Sequence, residues 1–130
     1  MKVRELDLSQ DEFQLVAICE LLNGPQFDWP AEKLRSEIQF SEVLVLEDQK
    51  QIKAFVLFRR VCENVLEILA LATNPAFKRE GCMSYLLSHF FNAYSQDVEF
   101  WLEVHDGNTA AQSLYEKWGF EKKGLRPQYY

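Results

Sequence analysis

The strongest pattern along the chain is VLEILALAT, Val65 to Thr73, apolar at nearly every position. A strand of that kind is covered on both faces, so it predicts the centre of a sheet, and Asn74-Pro75 ends it. Upstream, Val43 to Glu47 and Ile52 to Val61 flank Asp48-Gln49-Lys50-Gln51 and predict a hairpin. A short first strand is predicted at Val3 to Leu6. Between these strands the period lengthens. Ser9 to Leu22 predicts a helix, with Ser9 as its cap, Glu12 three residues on, and Phe13, Val16, Ala17, Glu20 and Leu21 at helical spacing. Asn23-Gly24-Pro25 stops it. Asp28-Trp29-Pro30 opens a second, shorter helix running to Ile38.

Beyond the central strand, Met83, Leu86, Leu87, Phe90, Phe91 and Tyr94 fall on one face of a helix that packs on the sheet. Lys78-Arg79-Glu80-Gly81 leads into it. A helix N-terminus presents unpaired N–H groups and the positive end of the dipole. With a glycine that lets a ligand approach the backbone, and basic side chains beside it, the segment is a candidate pyrophosphate site. An ordinary loop with solvated charges accounts for the same letters. The next strand carries Val98, Phe100, Leu102 and Val104 on one face and Glu99, Trp101, Glu103 and His105 on the other. Asn108 is a good N-cap. Ala111, Leu114, Tyr115 and Trp118 form the apolar stripe of the last helix, which Gly119 stops. A final strand is predicted from Phe120 to Leu125, limited by Pro127.

Composition narrows the class. A chain of 130 residues, 48% hydrophobic and 14% aromatic, reads as one globular domain. The net charge of -6 argues against nucleic acid or an acidic membrane as the partner and leaves room for a cationic substrate. No apolar run has the length of a spanning helix, and MKVRELDLSQDEF lacks a signal core. The three cysteines, Cys19, Cys62 and Cys82, lack metal-ligand spacing and read as reduced and structural in a cytoplasmic protein. His89 and His105 read as surface or helix histidines.

The segments LALATNPAFKREG, FWLEVHDGNTAAQSLYEKWGFEKKGLRPQYY and FDWPAEKLRSEI, in this order, resemble the GNAT superfamily of acetyl-CoA-dependent N-acetyltransferases. More narrowly they resemble its ribosomal-protein alanine N-acetyltransferases. The likeness covers nearly the whole chain and is dense from Leu69 onward. It implies an α/β (α+β) fold, one domain over residues 1–130. Its mixed, twisted sheet carries helices on both faces and splays between the fourth and fifth strands, where acetyl-CoA lies. Relatives continue into a last strand that is missing after Tyr130; an edge left open there predicts a homodimer.

By the same resemblance, the backbone of Leu71, Ala72 and Thr73 pairs with the pantetheine arm as an added strand would. Lys78, Arg79, Glu80, Gly81, Cys82 and Met83 occupy the pyrophosphate signature, and Ser84 follows into the helix. Asn108 matches a cofactor-contacting asparagine and is equally a plain helix cap. Lys78 stands where Gln or Arg is usual, Glu80 brings a carboxylate, and Met83 replaces Gly or Ala. Met83 is in register with Leu86, Leu87 and Phe90, so its side chain is expected to turn toward the sheet. Glu103 matches the catalytic base and Tyr115 the general acid; from spacing alone they also read as a rim carboxylate and a core aromatic. The expected co-substrate is acetyl-CoA with no metal. The acceptor is a protein N-terminus, or else a polyamine or small metabolite; a non-catalytic CoA-binding module is the reading from another class.

Overall fold

The computed structural model describes residues 1–24, 27–94, 98–102 and 109–120. A five-stranded sheet is built from β1 (Lys2–Glu5), β2 (Glu42–Asp48), β3 (Gln51–Cys62), β4 (Val65–Thr73) and β5 (Glu99–Leu102), in sequence order across the sheet. The pairs from β1 to β4 are antiparallel, and β4 with β5 is parallel. The mixed sheet and its near-apolar fourth strand agree with the sequence. The last strand expected at Phe120 to Leu125 runs outside the described residues.

Helices cover both faces. Helices α1 (Leu8–Leu22) and α2 (Ala31–Glu37) close one, where Leu15, Ile18, Cys19 and Leu34 pack against Val45, Phe55 and Leu57. Helix α3 (Cys82–Ala93) covers the other with Leu86, Leu87 and Phe90 against Val56, Phe58 and Ile68. Helix α4 (Thr109–Lys117) is followed by Trp118 and Phe120, which pack against this second core. None of these helices is long and apolar enough to cross a membrane.

Helix α1 departs from the expected pattern. Its N-cap is Asp7, whose side chain accepts from the Ser9 N–H, so the helix starts before Ser9. Its buried residues are Asp11, Leu15, Val16, Ile18 and Cys19, so Val16 is inside as expected, while Phe13 is 83% exposed. The apolar letters misled because the helix buries a charge. Asp11 is 2% exposed and takes two hydrogen bonds from Arg4 of β1, at 2.6 and 2.9 Å. Arg4 also donates to Glu47 of β2, so one guanidinium ties β1, α1 and β2 together.

Three irregularities interrupt the described ladders, one of them at Val61, an extra residue on β3 between Arg60↔Leu66 and Cys62↔Val65. Between Leu46↔Ala54 and Glu47↔Ile52, Lys53 is an extra residue on β3. Between Phe58↔Ile68 and Leu57↔Ala70, Leu69 is an extra residue on β4. Such bulges bend a strand and re-aim side chains.

Candidate active site

The site is organised along β4. Its first half pairs with β5 from Val65↔Glu99 to Ile68↔Leu102. Then comes the Leu69 bulge. From Ala70 to Thr73 the strand keeps its ladder with β3, but its other side has no strand partner among the described residues. Leu71, Ala72 and Thr73 lie on this stretch. Leu71 is half-buried against the α3-side core and Ala72 buried against the α1-side core. A bare strand side of this kind offers backbone groups to an extended ligand.

After Thr73 the chain passes through one 3-10 turn, Pro75–Phe77, whose first N–H groups are met by Asn74 Oδ1, accepting from Ala76 at 3.0 Å. Lys78, Arg79, Glu80 and Gly81 follow, all exposed. Arg79 has φ 64 and Gly81 φ 74, two left-handed positions within three residues. For Gly81 that conformation is natural; for Arg79 it is strained, a pattern that clusters where ligands are clamped. Gly81 is the N-cap of α3 and no side chain caps the helix there. A Cβ built on Gly81 meets nothing within 4 Å, so the space before the helix N-terminus is open. Cys82 is buried, and desolvation raises its thiol pKa, which makes it a packing residue rather than a nucleophile. Met83 packs half-buried against the α3-side core, turned toward the sheet, and Ser84 is exposed.

Tyr115 is half-buried on α4, its ring edge-on to Phe120 at 5.8 Å. Burial pushes its hydroxyl pKa up to about 12, so it carries its proton throughout the neutral range. Phe120 in turn packs with Leu71 and Met83 on one core. Leu71 of β4, Met83 of α3 and Phe120, whose ring meets Tyr115, thus belong to one core on the α3 side of the sheet. Glu103 and Asn108 lie outside the described residues.

Two charged residues near β4 escaped the sequence reading. Glu67 is 1% exposed and accepts from Arg59 Nε at 2.9 Å and Nη2 at 2.8 Å. Lys53, the bulge residue of β3, reaches Glu80 of the loop at 3.4 Å. Their cross-strand and cross-loop partners leave no trace in periodicity.

A mixed sheet with a bulged central strand, a strand side without a strand partner among the described residues and a helix N-terminus that follows it suits an extended, anionic ligand. The profile of the acetyltransferase (GNAT) family matches residues 11–120, and the chain belongs to that family. It is 34% identical over 88 residues to the ribosomal protein bS18-alanine N-acetyltransferase of Haemophilus ducreyi, covering 64% of this chain and 58% of that protein. It is 33% identical over 89 residues to the Salmonella typhimurium protein of the same name, covering 67% and 60%. The match therefore spans less than two thirds of the length of these curated relatives. The crystal structure of the ribosomal-protein-S18-alanine N-acetyltransferase from Escherichia coli superposes with a TM-score of 0.82 at 25% identity, over 99% of this chain and 83% of that one.

Proposed function

We propose that the protein is an acetyl-CoA-dependent N-acetyltransferase, one domain over residues 1–130, whose acceptor is a protein N-terminal α-amine such as the alanine of a ribosomal protein. The observation that carries this reading is the side of β4 after the Leu69 bulge, which has no strand partner among the described residues, followed through the 74–81 connection by the N-terminus of α3, where no side chain caps the helix. The strand side suits the amide-rich pantetheine arm, and the helix end suits its diphosphate. The names of the relatives point to the alanine acceptor.

Elementary acid–base chemistry favours the same acceptor. Only a neutral amine attacks a thioester. With reference pKa values near 8 and 10.4, roughly one α-amine in ten is neutral at pH 7, against about one lysine in a few thousand. In the proposed reaction the amine nitrogen attacks the thioester carbonyl in a ternary complex. Glu103 takes the amine proton, directly or through water. A backbone N–H of β4 between Leu71 and Thr73 faces the oxyanion. The C–S bond then breaks and Tyr115 gives its proton to the departing thiolate. Lys78, Arg79 and the N–H groups of Gly81 to Ser84 hold the diphosphate, and Asn108 is the further residue assigned to cofactor contact.

The test is titration calorimetry with acetyl-CoA, followed by turnover on short peptides that begin with alanine, on the same peptides with a blocked N-terminus and an internal lysine, and on spermidine. Fastest transfer to the free alanine terminus is expected. Turnover of spermidine alone would move the acceptor to small amines, and absence of acetyl-CoA binding would remove the reading altogether.

A further inference from the structure

The connection from β4 to α3 is held at three points by one residue of another strand. The carbonyl of Lys53 accepts the Asn74 N–H at 2.8 Å. Its ammonium lies 4.6 Å from the centroid of the Phe77 ring. Its Nζ is also 3.4 Å from Glu80 Oε1 and 3.4 Å from Asp48 Oδ2. Asn74, Phe77 and Glu80 follow one another at intervals of three along the segment that leads to Gly81. The bulge makes this reach possible, because the β2 ladder skips Lys53 and its side chain, 14% exposed, reaches Asp48 and the connection.

We infer that Lys53 is a positioning residue for the cofactor: by holding Glu80 it fixes the diphosphate-binding loop and neutralises the carboxylate that would otherwise repel the diphosphate. The inference rests on the reading of Lys78 to Met83 as the diphosphate loop. It accounts for an acidic residue at that place. Glu80 serves as the loop's anchor, and its charge is cancelled by a lysine from β3 rather than presented to the ligand. A cation over an aromatic ring and between carboxylates is held in one geometry rather than left to wander. Desolvation opposes the charge on Lys53, but the hydrogen bonds to Asp48 and Glu80 outweigh it and raise its pKa.

Calorimetry with CoA and with pantetheine, which has the arm but no diphosphate, separates the possibilities. Lys53→Met keeps the stem over Phe77 and the backbone bond to Asn74. It should lower CoA affinity by roughly tenfold, the scale of one unscreened like charge near a surface site, and leave pantetheine affinity within about twofold. Glu80→Gln in the Lys53→Met background should recover most of the loss. Glu80→Gln alone keeps an oxygen that can accept from Lys53 and removes the charge, so it should lower CoA affinity less than Lys53→Met does. Wild-type CoA affinity in Lys53→Met, equal losses for CoA and pantetheine, or no recovery in the double variant would each overturn the inference. Gly81→Asp tells the two levels apart. If it leaves CoA binding unchanged, the loop reading itself falls; if it abolishes binding while Lys53→Met has no effect, only the role of Lys53 falls.

Discussion

The Phe120 N–H donates to the carbonyl of Tyr115 at 2.9 Å, and the two rings stand edge to face at 5.8 Å. With Gly119 at φ 94 donating to Glu116 at 2.9 Å, this is a complete Schellman ending for α4. The glycine that stops the helix therefore also places an aromatic wall against the proposed acid. Tyr115 is held by its backbone and its ring at once, which leaves the hydroxyl as the part free for chemistry.

Tyr115→Phe keeps the ring against Phe120 and removes only the hydroxyl. The fold and acetyl-CoA affinity are expected to survive, with kcat lower by about two to four powers of ten, the range for one acid–base group. Because burial holds the wild-type hydroxyl at about 12, its proton is retained up to high pH. The rate of the parent protein should therefore show no alkaline fall from this group below pH 10. Stopped-flow turnover across pH checks both statements.

Glu103→Gln removes the proposed base. Its loss in rate should be largest at low pH, where few amines are neutral, and shrink as pH nears the amine pKa of about 8. Tyr115→Phe should show no such rescue, since a basic medium supplies no proton to a thiolate. Parallel pH profiles of the two variants decide this, and a pH-independent loss in Glu103→Gln would count against the base.

Arg79 and Met83 separate stability from binding within one loop. Arg79→Gly relieves a non-glycine residue at φ 64 and should stabilise the fold by about 1 kcal/mol while weakening CoA binding through the lost charge. Met83→Gly removes a side chain packed against the α3-side core and should cost a few kcal/mol, as truncated core methionines do. Urea denaturation read beside calorimetry tests both directions.

The Arg4–Asp11 pair predicts acid sensitivity. Hydrogen bonds from Arg4 outweigh desolvation and hold the Asp11 carboxyl below its usual range. A depressed folded-state pKa contributes stability that is complete above the unfolded value of about 3.9 and is lost as pH falls through the folded value. Asp11→Asn should cost about 2 to 4 kcal/mol at neutral pH by stranding Arg4. The variant's Tm should also fall less steeply than the parent's below pH 4. Equal slopes would show that other carboxylates carry the acid transition.

The β2–β3 turn places Gln49 at φ 53 and Lys50 at φ 65. This is the geometry that favours Asn-Gly, and side chains there are strained. Gln14 of α1 compensates by donating to the Lys50 carbonyl at 3.3 Å and accepting from the Ile52 N–H at 2.9 Å. Lys50→Gly should therefore raise stability by about 1 kcal/mol in chemical denaturation.

Much of this was legible in the letters. VLEILALAT announced a central strand because burial on both faces leaves no polar alternation. Met83, Leu86, Leu87 and Phe90 announced the helix over it, Gly119 the end of α4, and the turn at Asp48 to Gln51 the hairpin. Helix α1 was misread where an apolar letter was taken for a buried one: Phe13 faces water, while Asp11 is inside because Arg4, distant in sequence terms only by a strand and a turn, travels with it. Lys53 and Glu67 were invisible for a related reason. Their meaning lies in partners on other strands and in bulges, and a bulge is one unmarked residue in an otherwise regular run. The resemblance supplied roles for Leu71 to Thr73, the loop and Tyr115 that periodicity could not distinguish from core and surface.

Leu69 shows what a purely stability-driven redesign would discard. Leu69 and Ala70 both face the α1-side core, and Ile68 and Leu71 face the other. Deleting Leu69 would therefore leave the remaining core-facing side chains of β4 on their present faces and remove one of the two irregularities in the ladder with β3. It would sacrifice one half-buried leucine and cure a distortion. The residue is redundant for side-chain alternation, and it follows directly on Ile68, which pairs with Leu102 of β5. An alignment-driven consensus that trims single-residue insertions would remove it, and with it the bend that a bulge puts into β4 just before Leu71 to Thr73.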